Sequence, residues 1–207
     1  MPRADISNYL VHFTKGNNAF ADFTSIIKEA TLRGGTGYIK GGYRCVCFSE
    51  APLHALQTVL EQPRSHDFKY SPYGVVVSKR WLFDLGGRPV IYQSDLEYGE
   101  LPEKIRWRHV RYEPTLTNPI DHTAEREWRI QLDKLALPEE AILVMPNLEE
   151  LRKICDEHSL ADHIPADLYD PLKDTTPLSA LISGRRWTVI LVRDPPEGWS
   201  GLDVDLD

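Results

Sequence analysis

The segment Tyr73–Ser78 holds three consecutive valines after a glycine, and no other run constrains the fold more strongly. β-Branched residues are enriched in strands, and an apolar run without alternation indicates a strand that is buried on both faces. More strand-like runs follow it, so strands outnumber helices after residue 70. This segregation predicts an α+β fold in a single domain with flanking helices.

The N-terminal part of the chain predicts a strand followed by an amphipathic helix. Tyr9–Thr14 alternates, and Leu10, His12 and Thr14 share one face of it. Asn17 or Asn18 is a suitable cap for the helix. The helix's apolar stripe recurs at three- and four-residue spacing and consists of Phe20, Phe23, Ile27 and Ala30. We expect Gly34-Gly35 to end this helix, and a glycine-rich loop to continue to Gly42.

The remaining elements follow from apolar runs, caps and breakers. After a strand at Tyr43–Phe48, Ser49 and Pro52 predict the start of a second helix. An exposed loop is predicted at 62–72 and a short helical turn at Trp81–Phe83. Later strands are predicted at 88–92, 108–113, 141–145 and 187–193. Further helices are predicted in the second half of 96–107 and after Asn147, which caps the helix that it precedes.

Length and charge limit the number of domains and the kinds of partner that are expected. A chain of 207 residues is long enough for one substantial core, and we assign residues 1–194 to one domain and 195–207 to an acidic, frayed tail. The net charge of -7 argues against an extensive footprint on duplex nucleic acid, although a local basic groove is compatible with it.

Cysteine usage and hydropathy indicate a reducing compartment. Cys45, Cys47 and Cys155 form no even set for disulfides, and their spacing matches no zinc site, so they are interpreted as small buried apolar residues. No apolar run approaches the roughly 20 residues of a membrane span, and the N-terminus lacks a signal-peptide pattern. We therefore expect a cytoplasmic protein without membrane contact.

The stretch Asp121–Ile130 is the first candidate for chemistry. As a strand it would place Glu125 and Glu127 on one face beside Arg129, with Trp128 on the opposite, core-facing side. Two carboxylates on one face repel each other unless something there uses negative charge. The alternative is an ordinary solvated strand face, in which Arg126 and Arg129 neutralise the two glutamates.

The order of these motifs resembles the ADP-ribosyltransferase superfamily, and within it DarT-like toxins and AbiGi-like abortive-infection proteins of phage defence. The likeness rests on His12-Phe13-Thr14, the helix and glycine loop, Cys47-Phe48-Ser49 and Glu125-Arg-Glu127. It implies a split, mostly antiparallel β core in which His12, Ser49 and Glu127 line one cleft. Where DarT-like chains carry F-Y-F-x-x-R-S-P, this chain has Cys-Phe-Ser-Glu-Ala-Pro, with no arginine.

The resemblance also implies a reaction and a set of site residues. ADP-ribosyltransferases break the nicotinamide–ribose bond of NAD through an oxocarbenium-like sugar, which a nearby carboxylate stabilises. Glu127 would supply that carboxylate, Glu125 would position or deprotonate the acceptor, and Arg44 would meet the diphosphate or the acceptor. The expected NAD-binding residues are His12, Phe13, Thr14, Tyr38, Tyr43 and Ser49, and no metal is expected.

Function therefore has three candidates at this point. The first is transfer of ADP-ribose from NAD to a macromolecule, nucleic acid or protein, by a toxin or phage-defence effector with a possible antitoxin partner. The second is NAD hydrolysis with water as the acceptor. The third is a non-catalytic module of the same fold that acts as an antitoxin or a sensor.

Overall fold

The computed structural model describes residues 7–50, 70–157 and 178–191, and within them the chain is α+β, as predicted. Its helices are α1 (Ala19–Glu29), α2 (Lys79–Asp84) and α3 (Leu148–Glu157). Its strands are β1 (Tyr9–Lys15), β2 (Thr31–Arg33), β3 (Val46–Ser49), β4 (Tyr70–Ser78), β5 (Arg88–Pro89), β6 (Ile91–Gln93), β7 (His109–Arg111), β8 (Glu127–Ile130), β9 (Lys134–Ala136), β10 (Ile142–Met145), β11 (Leu178–Ile182) and β12 (Arg185–Leu191).

Eight of these strands form one mixed sheet in the order β11-β12-β10-β4-β1-β3-β8-β5. Most neighbours are antiparallel, and β10 and β12 are parallel. Two further sheets each have two strands, β2 with β9 and β6 with β7. Within the described ranges the core is thus one continuous sheet with two small additions, and not two sheets that enclose a cleft. The cleft expected between two sheets is not found there.

The strand register divides the residues of the large sheet between two faces. Side chains of directly paired residues share a face, so Val11, Ser49 and Glu127 lie on one side, which we call the Glu127 face. The opposite side, the core face, carries Leu10 and the residues that alternate with the first set. The main core on that side includes Leu10, Phe23, Val46, Phe48, Val75, Val77, Trp128, Ile130, Leu143 and Met145.

Helix α1 covers part of the core face and ends earlier than the sequence predicts. Phe23 and Ile27 are buried as expected, but the chain leaves the helix at Ala30, whose φ of 44° is left-handed. Gly34-Gly35 is therefore not the helix end, and that prediction is wrong. The three residues of β2 lie between the end of α1 and Gly34. They form a strand because they pair with β9, about a hundred positions later in the chain, and such a distant contact leaves no signal in the local sequence.

A second, smaller apolar cluster consists of Ile39, Cys45 and Trp107, with Tyr43 and Cys47 packed against it. It joins the glycine loop of residues 34–42 to the short 3-10 helix Glu103–Arg108. Because Cys45 and Cys47 alternate with the core residue Val46, this cluster lies on the Glu127 face. The glycine loop is therefore packed against the sheet, although its composition suggested a free surface connection.

Several predicted elements match the described ones. The strands at the start of the chain, in the valine run and at 141–145 are present, as is the helix capped by Asn147, whose Oδ1 accepts from the backbone N–H of Glu150 at 3.0 Å. The predicted helix after Pro52, residues 62–69 of the predicted loop at 62–72 and the C-terminal tail lie outside the described residues. Residues 70–72 of that loop belong to β4, so this part of the prediction is wrong. Among the described helices, none is long and apolar enough to cross a membrane.

Candidate functional site

Three neighbouring strands bring Ser49 and Glu127 side by side. β3 lies between β1 and β8, and Ser49 pairs directly with Glu127 at the ends of their strands. The Ser49 hydroxyl donates to the backbone carbonyl of Glu125 at 2.8 Å and is buried. Ser49 therefore fixes the backbone that enters β8.

The Glu127 carboxylate is held by a two-pronged ion pair with Arg129. Arg129 Nε donates to Oε1 at 2.8 Å, and Nη2 donates to Oε2 at 3.0 Å. The two side chains are only 16% and 7% exposed, so little solvent screens the pair. Burial opposes the charge of Arg129, but the bonds to Glu127 outweigh burial and raise the pKa of the guanidinium.

Arg129 also fixes the segment that lies over the Glu127 face. Its Nη1 donates to the backbone carbonyls of Trp107 and His109, at 3.0 and 2.9 Å. One buried guanidinium thus joins the Glu127 carboxylate to the start of β7 and to the small apolar cluster. The alternative considered from sequence, in which arginine neutralises the glutamate, is correct for this pair.

The segment around the glutamates is a turn followed by a strand, and the predicted continuous strand is wrong. Thr123–Glu125 forms a 3-10 turn, and Arg126 follows with a left-handed φ of 44° before β8 begins at Glu127. The alternation that was expected to align Glu125 with Glu127 is therefore lost. Propensity reasoning missed this because a left-handed arginine is uncommon.

Tyr92 lies between the two carboxylates, and the sequence did not single it out. Its hydroxyl accepts from the backbone N–H of Glu127 at 3.1 Å and donates to the carbonyl of His122 at 3.2 Å. Burial, assisted by the negative charges of Glu127 and Glu125, raises the pKa of Tyr92 to about 12. Both glutamates are thus near this neutral phenol even though they do not share a strand face.

The two cysteines of β3 lie on the Glu127 face as well. Burial, together with the negative charge of Glu127, raises the pKa of Cys47. Burial also raises the pKa of Cys45 to about 11, against the opposing effect of Arg129. Both are neutral thiols at physiological pH, which fits their interpretation as buried small residues.

His12 lies on the opposite face from Glu127, so the predicted shared cleft of His12, Ser49 and Glu127 is not formed. Its ring contacts Phe48 of the core face at a centroid distance of 5.8 Å. Its Nδ1 is 2.8 Å from the carbonyl of Cys47. The physical reason is the two-residue period of a strand, which places His12 and Val11 on different sides while Val11 pairs with Ser49.

The other residues predicted to bind NAD are also divided between the faces. Thr14 lies where the register of β1 with β4 shifts, is buried, and donates to the carbonyl of Tyr73 at 3.3 Å. Phe13 is buried and alternates with His12, so it lies on the Glu127 side of the sheet. The predicted set of His12, Phe13 and Thr14 therefore does not form one surface.

The glycine loop places its two tyrosines differently. Tyr38 is 80% exposed, whereas Tyr43 packs against the small apolar cluster on the Glu127 face. Arg44 is exposed, with Nε 3.1 Å from Asp133 and Nη2 donating to the carbonyl of Gly34. Arg44 therefore links the loop to the chain before β9.

A further partly buried acid, Glu50, lies on the core face directly after β3. It accepts from Lys79 Nζ at 2.6 Å and from the indole N–H of Trp128 at 2.8 Å. Each carboxylate oxygen of Glu50 thus has a hydrogen-bond partner, the Lys79 ammonium for one and the Trp128 indole for the other. These two contacts account for the burial of this acid. It lies on the other side of the sheet from Glu127.

No group of three or more potential metal ligands is found in the described ranges. Comparisons with protein-family models, with curated proteins and with solved structures found no match to this chain. The strand order and the contacts around Glu127 are therefore the observations on which a function is argued.

Proposed function

We propose that the chain transfers ADP-ribose from NAD to a macromolecule, with Glu127 as the carboxylate that acts on the ribose. The observation that carries the proposal is the placement of Glu127. It begins a strand next to the central part of the sheet, pairs with Ser49, and holds a fixed carboxylate that is still partly exposed. The motif order that resembles ADP-ribosyltransferases thus coincides with strands that are neighbours in space.

The ion pair leaves Glu127 able to hold a substrate hydroxyl. An ionised carboxylate has about four acceptor positions. Arg129 occupies two of them. The remaining capacity fits one ribose hydroxyl, and the rigid pair would orient it without a rearrangement during the reaction.

The reaction itself needs little covalent chemistry from the protein. The bond between ribose C1′ and the nicotinamide nitrogen breaks, and its electron pair leaves with neutral nicotinamide. The positive charge that develops on the sugar is stabilised by the Glu127 carboxylate. The acceptor then forms a bond to C1′ and loses a proton, for which Glu125 is the nearby base. With water as the acceptor, the same steps give hydrolysis.

Arg129 also favours a second candidate, a non-catalytic module of the same fold. A guanidinium that bonds both carboxylate oxygens neutralises much of the charge that would stabilise the transition state. In that case the pair serves only to fix β8 against β7. The two candidates differ in one measurable property, release of nicotinamide by the purified protein.

The test of the proposal is Glu127→Gln, which keeps the shape of the side chain and removes its charge. We expect nicotinamide release to fall by roughly a hundred- to thousandfold, as when a transition-state partner is removed. The matched control is Glu113→Gln, because Glu113 also pairs with an arginine, Arg111, and is similarly exposed at 17%. No release by the wild type would support the non-catalytic module, and equal release by wild type and Glu127→Gln would show that Glu127 is not the catalytic carboxylate.

Glu125→Gln separates transfer from hydrolysis. We expect it to leave nicotinamide release without acceptor nearly unchanged, because Glu125 belongs to the 3-10 turn before β8 and does not hold the ribose. Incorporation of label from NAD into an acceptor in a cell lysate should fall by roughly a hundredfold or more, within the usual range for a positioned base. A parallel loss of both activities would assign Glu125 to the ribose as well.

A further inference from the structure

Arg88 and Arg108 lie next to each other at the edge of the sheet that carries Glu127. Arg88 belongs to the edge strand β5, and its partner in the register is Arg129. Arg108 is the last residue of the 3-10 helix over the Glu127 face, and its Nε donates to the carbonyl of Pro89 at 2.9 Å. Both side chains are therefore anchored to the same two-residue strand.

These two guanidiniums have no acidic partner among the described residues. Several other arginines of the described chain pair with carboxylates, as Arg33 does with Glu29 and Arg80 with Asp84. For Arg108, burial and the positive charge of Arg88 both lower the pKa. Two uncompensated cations side by side are unexpected in a chain with a net charge of -7.

The backbone contacts of the two arginines leave several N–H groups available. Arg88 uses Nη1 for the carbonyls of Phe83 and Gly87, and Arg108 uses only Nε. The remaining N–H groups of both side chains have no protein partner in the part of the chain that is described. Two positive charges held close together repel each other, and an anion bound between them replaces this repulsion with attraction.

We propose that Arg88 and Arg108 form a binding site for the phosphate groups of the ligand that reaches Glu127. Planar guanidiniums bind phosphate oxygens in pairs of hydrogen bonds, which is the geometry that two adjacent arginines offer. Arg88 is close to Glu127 in the sheet, because Val90, two residues after Arg88, donates its backbone N–H to the carbonyl of Glu127 at 2.9 Å. The identity of the ligand rests on the proposed function.

The surface beside the pair favours a nucleic-acid strand as the source of the phosphates. The Arg88 guanidinium lies 3.8 Å from the ring centroid of Phe83, and Phe83 is 47% exposed. An exposed aromatic ring next to arginines is the combination with which proteins bind single strands, through base stacking and phosphate contacts. The other source of the same chemistry is the diphosphate of NAD.

The experiment measures binding and needs no turnover. A short fluorescein-labelled single-stranded DNA is titrated by fluorescence anisotropy over a series of salt concentrations, and ADP-ribose, which carries the diphosphate, is titrated by calorimetry. The variants are Arg108→Gln and Arg88→Lys, the second because Arg88 also bonds two carbonyls and its complete removal endangers the fold. The matched control is Arg80→Gln, since Arg80 is exposed and belongs to the helix α2 just before β5.

We expect Arg108→Gln to weaken binding of the strand about tenfold or more and to lower the salt slope by roughly 0.7, the value for one lost phosphate contact. Arg80→Gln should change neither. Loss of ADP-ribose affinity instead of strand affinity would also support the site and assign its phosphates to NAD. Unchanged binding of both ligands, or an equal loss in Arg80→Gln, would overturn it. Absence of nicotinamide release by the wild type would reject only the proposed function.

Discussion

At the scale of single residues, Arg129 makes contacts that no other side chain near Glu127 could replace. Its guanidinium serves one carboxylate and two backbone carbonyls while it is 5% exposed. Removing one partner of a buried pair leaves the other charge without compensation, which typically costs about 3–5 kcal/mol. We expect Arg129→Met to lower the free energy of unfolding by about that amount, as measured by urea denaturation.

The double variant Glu127→Gln/Arg129→Met is the control for this prediction. Because it leaves no charge buried, it should be less destabilised than the sum of the two single variants, and the double-mutant cycle gives the coupling between them. Additive losses would show that Arg129 stabilises β7 through Trp107 and His109 alone, without contributing to the position of Glu127.

Prediction from sequence was accurate where a residue's neighbours in the chain determine its environment. The valine run, the apolar stripe of α1 and the pairing of Glu127 with Arg129 two residues later are all local patterns. The position of His12 could not be obtained in this way, because it depends on which residue of β1 lies opposite Ser49. A shift of one residue in that register would move His12 to the Glu127 face.

At the scale of elements, the hairpin between β11 and β12 has a turn that its sequence does not favour. Ser183 and Gly184 connect paired residues Ile182 and Arg185, with φ values of 52° and 75°. Two positive φ angles in a two-residue loop are typical of a type I′ turn, in which Asn-Gly is preferred. We expect Ser183→Asn to raise the free energy of unfolding by roughly 0.5 kcal/mol, because Asn tolerates the left-handed region better than Ser.

Thermal unfolding of Ser183→Asn beside Gly184→Ala tests this assignment. The alanine variant should be destabilised, since a Cβ at a φ of 75° is strained whatever space surrounds it. A stable Gly184→Ala protein would contradict the turn. Because the hairpin lies at the far end of the sheet from β8, neither change should alter nicotinamide release.

The elements that sequence analysis missed share one property, which is a partner distant in the chain. β2 forms because β9 is available to pair with it, and the 3-10 turn before β8 is fixed by Ser49 and Tyr92. Neither contact changes the local pattern of apolar and polar residues. The C-terminal end of α1 and the start of β8 were therefore misplaced, although the existence of both elements was predicted.

At the scale of the whole molecule, the position of His12 connects its protonation to global stability. It belongs to β1, which is inside the eight-stranded sheet, and burial lowers the pKa of its ring despite the opposing contact with the carbonyl of Cys47. Below a pH of about 6.5 the unfolded chain therefore takes up a proton that the folded chain resists. We expect the free energy of unfolding to decrease as the pH falls from about 7 to 5.

Chemical denaturation at several pH values measures this dependence, and His12→Gln is the comparison. The variant should lose less stability than the wild type over the same interval, because it has no ring to protonate. If both proteins show the same slope, the titration of His12 is not coupled to unfolding, and another group is responsible for the acid sensitivity.

The two-residue strand β5 also affects how copies of the molecule meet at high concentration. An outermost strand with free backbone groups is a template on which another chain can add, and this is a common route to aggregation. Pro89 has no N–H to offer, and its carbonyl is already occupied by Arg108. Two neighbouring cations add repulsion between copies that approach this edge. The same arginines that we assign to phosphate binding thus keep this border of the sheet closed to self-association.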